Sequence, residues 1–309
     1  MIQSGYTDIE RRLVAWAEQR PDVRAVVFQG SRSRKSNHPS YSQPDRWSDM
    51  DAYVLVDDTR PFLESTDWLA QLGTPWFSFA GQLPENCPEV TRYCLVFPGA
   101  LQVDVIVVPV SYVMAELEEP TPDCVYIVQQ GVRVAVDKMG LRDKKLCQLN
   151  AAPTLPPVSR RTPTEAEFHR TVNEFWFECA GVAKKLRRGE VWRGVALINT
   201  SLAAKSLLAL VEWNAVATHG PTYNVWFDGR YLEWWADPAR VERLRGVFAP
   251  YDREGAWTAL LAIMDVFEEL SIDTAARLRF SPPAATTREV RAWVARTHQD
   301  RTEAGDGRE

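Results

Sequence analysis

Basic residues are in short supply in this chain: 36 Lys and Arg stand against 41 Asp and Glu, a formal net charge of -5. Unaided binding to nucleic acid needs a basic patch or stripe, so the balance points away from a nucleic-acid partner and toward a cationic small molecule. The five cysteines, Cys87, Cys94, Cys124, Cys147 and Cys179, are scattered, with no C-x-x-C pair and no histidine at zinc-ligand spacing. That pattern excludes a disulfide framework and a zinc ribbon, leaving reduced thiols. The four histidines, His38, His169, His219 and His298, are too dispersed for a catalytic or metal cluster. The opening MIQSGYTDIERRL is polar where a signal peptide needs an apolar core, and no run of residues reads as the roughly 18 apolar positions of a membrane span. A cytoplasmic protein with no membrane partner is the expectation, as monomer or homodimer.

What is present reads as two domains. The chain has 309 residues, 45% of them hydrophobic and 25% charged, as in ordinary globular proteins. Near-helical spacing of Ile9, Leu13, Val14 and Trp16 predicts a helix from Thr7 to Gln19, with Thr7 as its cap. Apolar runs at 24–28, 51–56 and 101–108 predict strands, with a helix from Arg60 to Leu72 between the last two. The order predicts an α+β fold, a mixed β-sheet domain over 1–150. A Pro-rich linker follows at 151–164, then an all-helical domain over 165–300 and a charged tail at 301–309 that frays. Helices are expected at 165–188, 195–219, 238–248, 254–278 and 287–297.

Three features carry chemistry. Gln29-Gly30-Ser31-Arg32 ends the first strand, where a glycine lets backbone N–H groups approach a phosphate and the serine adds a hydroxyl. Taken alone it is also an ordinary turn. Asp49-Met50-Asp51 opens the second strand, and residues two apart point to one side, so both carboxylates can reach a shared cation. The bland alternative is a solvated acidic turn. Asp104 stands among Val103, Val105, Ile106, Val107 and Val108, where a carboxylate needs a partner; an edge position or an arginine would serve as well as a metal. Together, three acids converging beside a Gly-Ser turn match what two-magnesium phosphoryl chemistry requires.

With these motifs in place, the sequence resembles the nucleotidyltransferase superfamily, and within it the aminoglycoside 6-adenylyltransferases, the streptomycin adenylyltransferase family. The resemblance rests on Val23 to Arg32, Asp49-Met-Asp51, Val103-Asp-Val-Ile106 and Val136-Asp-Lys-Met-Gly140. In the helical half it rests on Asn173-Glu-Phe-Trp176, Val182 to Arg188, Trp213 and Gly229-Arg-Tyr-Leu232. It implies magnesium, as two ions, and ATP as co-substrate, with AMP passed to a hydroxyl of a streptomycin-like aminoglycoside and pyrophosphate released. Gly30 and Ser31, with Arg32 beside them, would hold the β- and γ-phosphates. Asp49, Asp51 and Asp104 would bind the metals, Asp104 also taking the acceptor's proton. Lys184 or Lys185 would reach the triphosphate. A different small-molecule or protein hydroxyl as acceptor, or a silent nucleotide-binding regulator, are the rival functions. The stretch from Ser33 to Trp47 is longer than the family's usual link; a surface loop tolerates such length at little entropic cost.

On the acceptor side, Glu174 and Glu178 stand four apart on one helical stripe with Lys185. Such a stripe can be a solvated face; the functional alternative is that these acids, joined by Asp228, bind the guanidinium or amino groups of the acceptor. Charge-assisted bonds of that kind contribute about 1.5–3 kcal/mol each. Trp176, Trp192, Trp213, Trp226, Trp234 and Trp235 read as core or interface residues before they read as stacking platforms.

Overall fold

The computed structural model describes residues 2–34, 42–82, 90–121, 124–125, 127–128, 131–142 and 161–300. Most of the Pro-rich linker, residues 35–41 of the long loop and the C-terminal tail lie outside the described residues. The chain divides into two compact units, Met1–Pro157 and Val158–Glu309.

The first unit is a six-stranded mixed sheet with helices on both faces. Its elements are α1 (Ile2–Gln19), β1 (Val23–Gln29), β2 (Met50–Val56), α2 (Arg60–Glu64), β3 (Phe77–Gln82), β4 (Thr91–Phe97), β5 (Leu101–Pro109), α3 (Val110–Glu118) and β6 (Val132–Asp137). The strand order is β3-β4-β5-β2-β1-β6, and β2 runs parallel to β5 while the other pairings are antiparallel. Alternation decides which residue faces which layer. Val103, Val105 and Val107 of β5, with Ala52, Val54 and Val56 of β2, pack toward α1 through Ile9, Leu13 and Ala17. The opposite face is covered by α3 at one end, where Leu55, Val108, Ala25 and Val27 are buried. Along that face of β5 exposure falls steadily: Gln102 is exposed, Asp104 half-buried, Ile106 and Val108 buried.

Two boundaries differ from expectation for local reasons. α1 begins at Ile2, not at a Thr7 cap. Its first turn packs on β5: a Cβ at Gly5 would lie 2.6 Å from a Leu101 methyl carbon, and the buried Tyr6 hydroxyl accepts the Gln102 N–H at 3.1 Å. The helix expected over 60–72 is broken at Ser65, which is extended, and resumes as a 3-10 turn over Asp67–Leu72. Six residues apart, Phe62 and Trp68 would sit about 240° apart around a straight helix. The break lets both face the core, where Trp68 stacks on Trp16 at 5.0 Å and meets Phe62 edge-on at 5.8 Å.

The Val136-Asp-Lys-Met-Gly140 segment ties this unit together. Asp137 accepts N–H groups of Leu141 at 2.9 Å and Arg142 at 3.1 Å, while Lys138 Nζ donates to the carbonyls of Ala17 and Arg20, each at 2.7 Å. The ammonium thus adds a charged donor to two carbonyls at the C-terminus of α1, each of which also accepts a backbone N–H, from Arg20 and Val23 respectively.

The second unit is helical: α4 (Glu165–Arg187), α5 (Val191–His219), α6 (Pro238–Leu244), α7 (Arg253–Leu278) and α8 (Thr286–Gln299). α4 opens with a capping box, in which Thr164 accepts the Glu167 N–H and the Glu167 carboxylate accepts the Thr164 N–H. Phe175 of α4 stacks on Phe267 of α7 at 3.6 Å in the unit's core. α5 starts earlier than expected and contains a π-helical section, Ile198–Leu207. At that section Asn199 exchanges two bonds with Ala249, accepting its N–H at 2.7 Å and donating to its carbonyl at 3.0 Å. By length and composition alone α5 is apolar enough to cross a bilayer, which corrects the sequence expectation that no such segment exists. Asn199, Lys205 and Glu212 interrupt its apolar run, and Leu197, Ile198, Leu202, Leu207, Leu210 and Val211 are buried within the unit.

Candidate active site

Asp51 and Asp104 meet where α3 leaves the sheet uncovered. β2 and β5 are parallel neighbours with Asp51 directly opposite Asp104, so the two side chains leave the sheet on one face. Across β2 the partner of Asp51 is Gln29, the last residue of β1, and across β5 the partner of Asp104 is Cys94. Tyr53, two residues beyond Asp51, shares this face and hydrogen-bonds with the Gln29 side chain. Burial, and then the negative charge of Asp51, push the Tyr53 hydroxyl above the usual tyrosine range, so it stays a neutral phenol.

Gly30 is shaped by this pair. Its φ of 78° and ψ of -156° belong to a region nearly reserved for glycine, and a Cβ there would come within 2.7 Å of Asp51 Oδ2. Ser31 follows at the start of a 3-10 turn; it is 6% exposed, and its hydroxyl has no hydrogen-bond partner. Buried hydroxyls are normally satisfied, so an orphan one residue beyond Gly30 is a feature that asks for a ligand.

Arg32 is engaged by groups of the protein itself. Its guanidinium donates to the carbonyls of Asp49 at 3.0 Å and Ser48 at 2.9 Å and lies 3.8 Å over the Tyr6 ring. It therefore fastens the end of the long loop to α1 and sets where β2 begins. Asp49 sits at that junction, one residue before β2 begins, with an exposed side chain. Among the described residues, no three His, Cys, Asp or Glu side chains form a group ready to hold a metal ion.

Asp104 lies on an interior strand, which removes the edge explanation, and its partner is an arginine. Arg92 Nη2 reaches Asp104 Oδ2 at 2.5 Å, with the Asp104 side chain 21% exposed. The bond to Asp104 holds the Arg92 guanidinium above its ordinary range. Burial, and then the Asp104 charge, raise the Cys94 thiol, so it remains protonated and hydrogen-bonds to the same carboxylate. Sequence inspection missed Arg92, Cys94 and Tyr53; alternation along β4 and β2 would have put each on the acid face once the strand register was known.

In the helical unit, Glu174 is exposed and Glu178 half-buried on α4, on the stripe that carries Lys185. Lys184 leans over Trp293, its Nζ 5.9 Å from the ring centre. Asp228 sits elsewhere, in a left-handed conformation (φ 53°, ψ 35°), and lines a cavity of about 490 Å³ with Ala203, Leu207, Leu232 and Phe248. Glu174 and Glu178 do not line that cavity, so the three acids are not gathered around it.

The chain is similar to several known proteins. The family model of streptomycin adenylyltransferase matches residues 5–297. An aminoglycoside 6-adenylyltransferase of Staphylococcus aureus is 25% identical over 205 residues, an alignment spanning 64% of this chain and 65% of that protein's length. Among solved structures, an aminoglycoside 6-adenyltransferase from Bacillus subtilis aligns at 15% identity and a TM-score of 0.43, covering 95% of this chain and 97% of the other. A nucleotidyltransferase-like protein from Exiguobacterium sibiricum aligns at 14% identity and a TM-score of 0.33, covering 85% and 74%.

Proposed function

Because the chain belongs to the streptomycin adenylyltransferase family, we propose that it transfers AMP from ATP to a hydroxyl of a cationic, streptomycin-like aminoglycoside and releases pyrophosphate. The observation that carries this reading is the register pairing of Asp51 with Asp104 beside Gly30 and Ser31. Two adjacent carboxylates, a glycine whose missing Cβ leaves room for one of them, and a buried hydroxyl without a partner fit a divalent ion and a phosphate.

In this reading Asp51 and Asp104 hold magnesium, with Asp49 joining from the mouth of β2. Bound there, the metal would neutralise charge on the triphosphate. Gly30 and Ser31 receive the β- and γ-phosphates, and Ser31 Oγ donates the hydrogen bond it otherwise lacks. Asp104 takes the proton of the attacking hydroxyl. Arg32 positions rather than binds, by fixing the backbone at Asp49. From the helical unit, Glu174, Glu178 and Asp228 would contact the acceptor, and Lys184 or Lys185 the triphosphate. Each charged contact to the acceptor would contribute about 1.5–3 kcal/mol.

The test is pyrophosphate release with ATP, magnesium and a panel of aminoglycosides, with mass spectrometry of the product for an added AMP. A silent wild-type protein across the whole panel refutes the substrate assignment. Labelled ATP with cell extract then separates another small acceptor from a protein one by where the label appears.

A further inference from the structure

Arg92 stands where a cation belongs. It is not opposite Asp104 in the ladder; Cys94 is, and Arg92 faces Ile106 two residues along. Only a long side chain spans such a diagonal, and this one crosses it to end 2.5 Å from Asp104 Oδ2. Its charge is also felt by Tyr53 and interacts with Asp51, so the guanidinium lies within the field of both carboxylates. The Arg92 side chain is 44% exposed, which leaves it a route out into solvent.

We propose that Arg92 is a resident counter-cation of the acid pair, which a divalent ion must displace from Asp104, so that the site takes up metal poorly until the nucleotide's own negative charge arrives. This rests on the reading of Asp51 and Asp104 as metal ligands. Two carboxylates on adjacent strands repel each other without a cation between them, and Arg92 relieves that repulsion in the free protein. A fixed positive charge a few ångströms from the metal position opposes the entry of a second cation. A polyanion binding at Gly30 and Ser31 offsets that opposition and offers the displaced guanidinium a new partner. Arg92 is then a positioning residue that makes metal and nucleotide load together.

The experiment measures Mn²⁺ binding by electron paramagnetic resonance, without nucleotide, in wild type, Arg92→Ala, Arg92→Lys and Asp51→Asn, with thermal denaturation checking that each is folded. Removing one positive charge at this range should tighten Mn²⁺ binding on the order of tenfold in Arg92→Ala. Arg92→Lys, which keeps the charge, should stay within about threefold of wild type. A merely structural role for Arg92 would weaken binding or leave it unchanged, and a folded Arg92→Ala protein with either behaviour overturns the inference. Asp51→Asn separates the two levels. If it abolishes Mn²⁺ binding while Arg92→Ala changes nothing, the counter-cation idea alone fails; if Mn²⁺ binds equally to Asp51→Asn, the metal lies elsewhere and both readings fall.

Discussion

Replacing Gly30 by alanine perturbs the acid pair without touching an acid. Two costs follow from the geometry. The backbone at φ 78°, ψ -156° lies where an L-residue is strained, at about 1–3 kcal/mol. The new Cβ would sit 2.7 Å from Asp51 Oδ2, about 0.7 Å short of ordinary contact, so the carboxylate must swing away from Gly30. Asp51 is at the second position of a strand locked between β1 and β5, so the side chain moves rather than the backbone. A displacement approaching 1 Å in a reacting group lowers turnover by roughly a hundredfold. Urea denaturation and steady-state adenylyl transfer measure the two effects separately. A double-mutant cycle isolates the clash: in an Asp51→Ala background the same Gly30→Ala change keeps its backbone cost and loses its steric one, so its destabilisation should be smaller. Equal destabilisation in both backgrounds, or Gly30→Ala with wild-type turnover, would refute the claim that Gly30 makes room for Asp51.

Further expectations are independent of that one. Asp104→Asn retains an acceptor for Arg92, so it should keep the fold, by circular dichroism and melting temperature, and lose adenylyl transfer by several orders of magnitude. Lys138→Met should destabilise the sheet unit by about 1–2 kcal/mol in chemical denaturation, because the carbonyls of Ala17 and Arg20 lose a charged donor. Glu167, held by Arg161 and the Thr164 N–H, titrates at about 2 against an ordinary 4.5. A carboxylate with a lowered pKa stabilises the folded state above the ordinary value and loses that contribution as pH falls toward the depressed one. Acid denaturation followed between pH 4.5 and 2 should therefore be less steep in Glu167→Gln than in wild type; identical profiles would contradict the capping role.

Much of the sheet was legible because its signals are local. The apolar runs of β1, β2 and β5 mark buried strands, and Asp104 stood out as a carboxylate among valines. Its reason was not legible: Arg92 is twelve residues away in sequence and becomes a neighbour only through the β4–β5 ladder. The same holds for Arg32, whose place in Gln-Gly-Ser-Arg suggested a phosphate and whose partners are loop carbonyls brought in by a long insertion. Asp49 and Asp51 looked equivalent by spacing, yet one lies inside a paired strand and the other precedes it. In the helical unit the amphipathic period of α4 was plain, with ends agreeing to a residue. The π-helical section of α5 left no trace in composition, since it changes hydrogen bonding rather than polarity.

The parallel ladder between β2 and β5 has a consequence for how this chain can vary. Some forty residues separate the two strands, and what the pairing fixes is the rung at which β5 returns beside β2 and β4, not the length of the loops in between. Within a strand the tolerance is nil. Deleting one residue between Leu101 and Val103 would advance β5 by a half-pleat, turning the carboxylate into the layer beneath α1 and valine outward in its stead. Lineages of this protein should accordingly gain and lose residues in the turn between β3 and β4, while the count from Leu101 to Asp104 stays fixed like a reading frame.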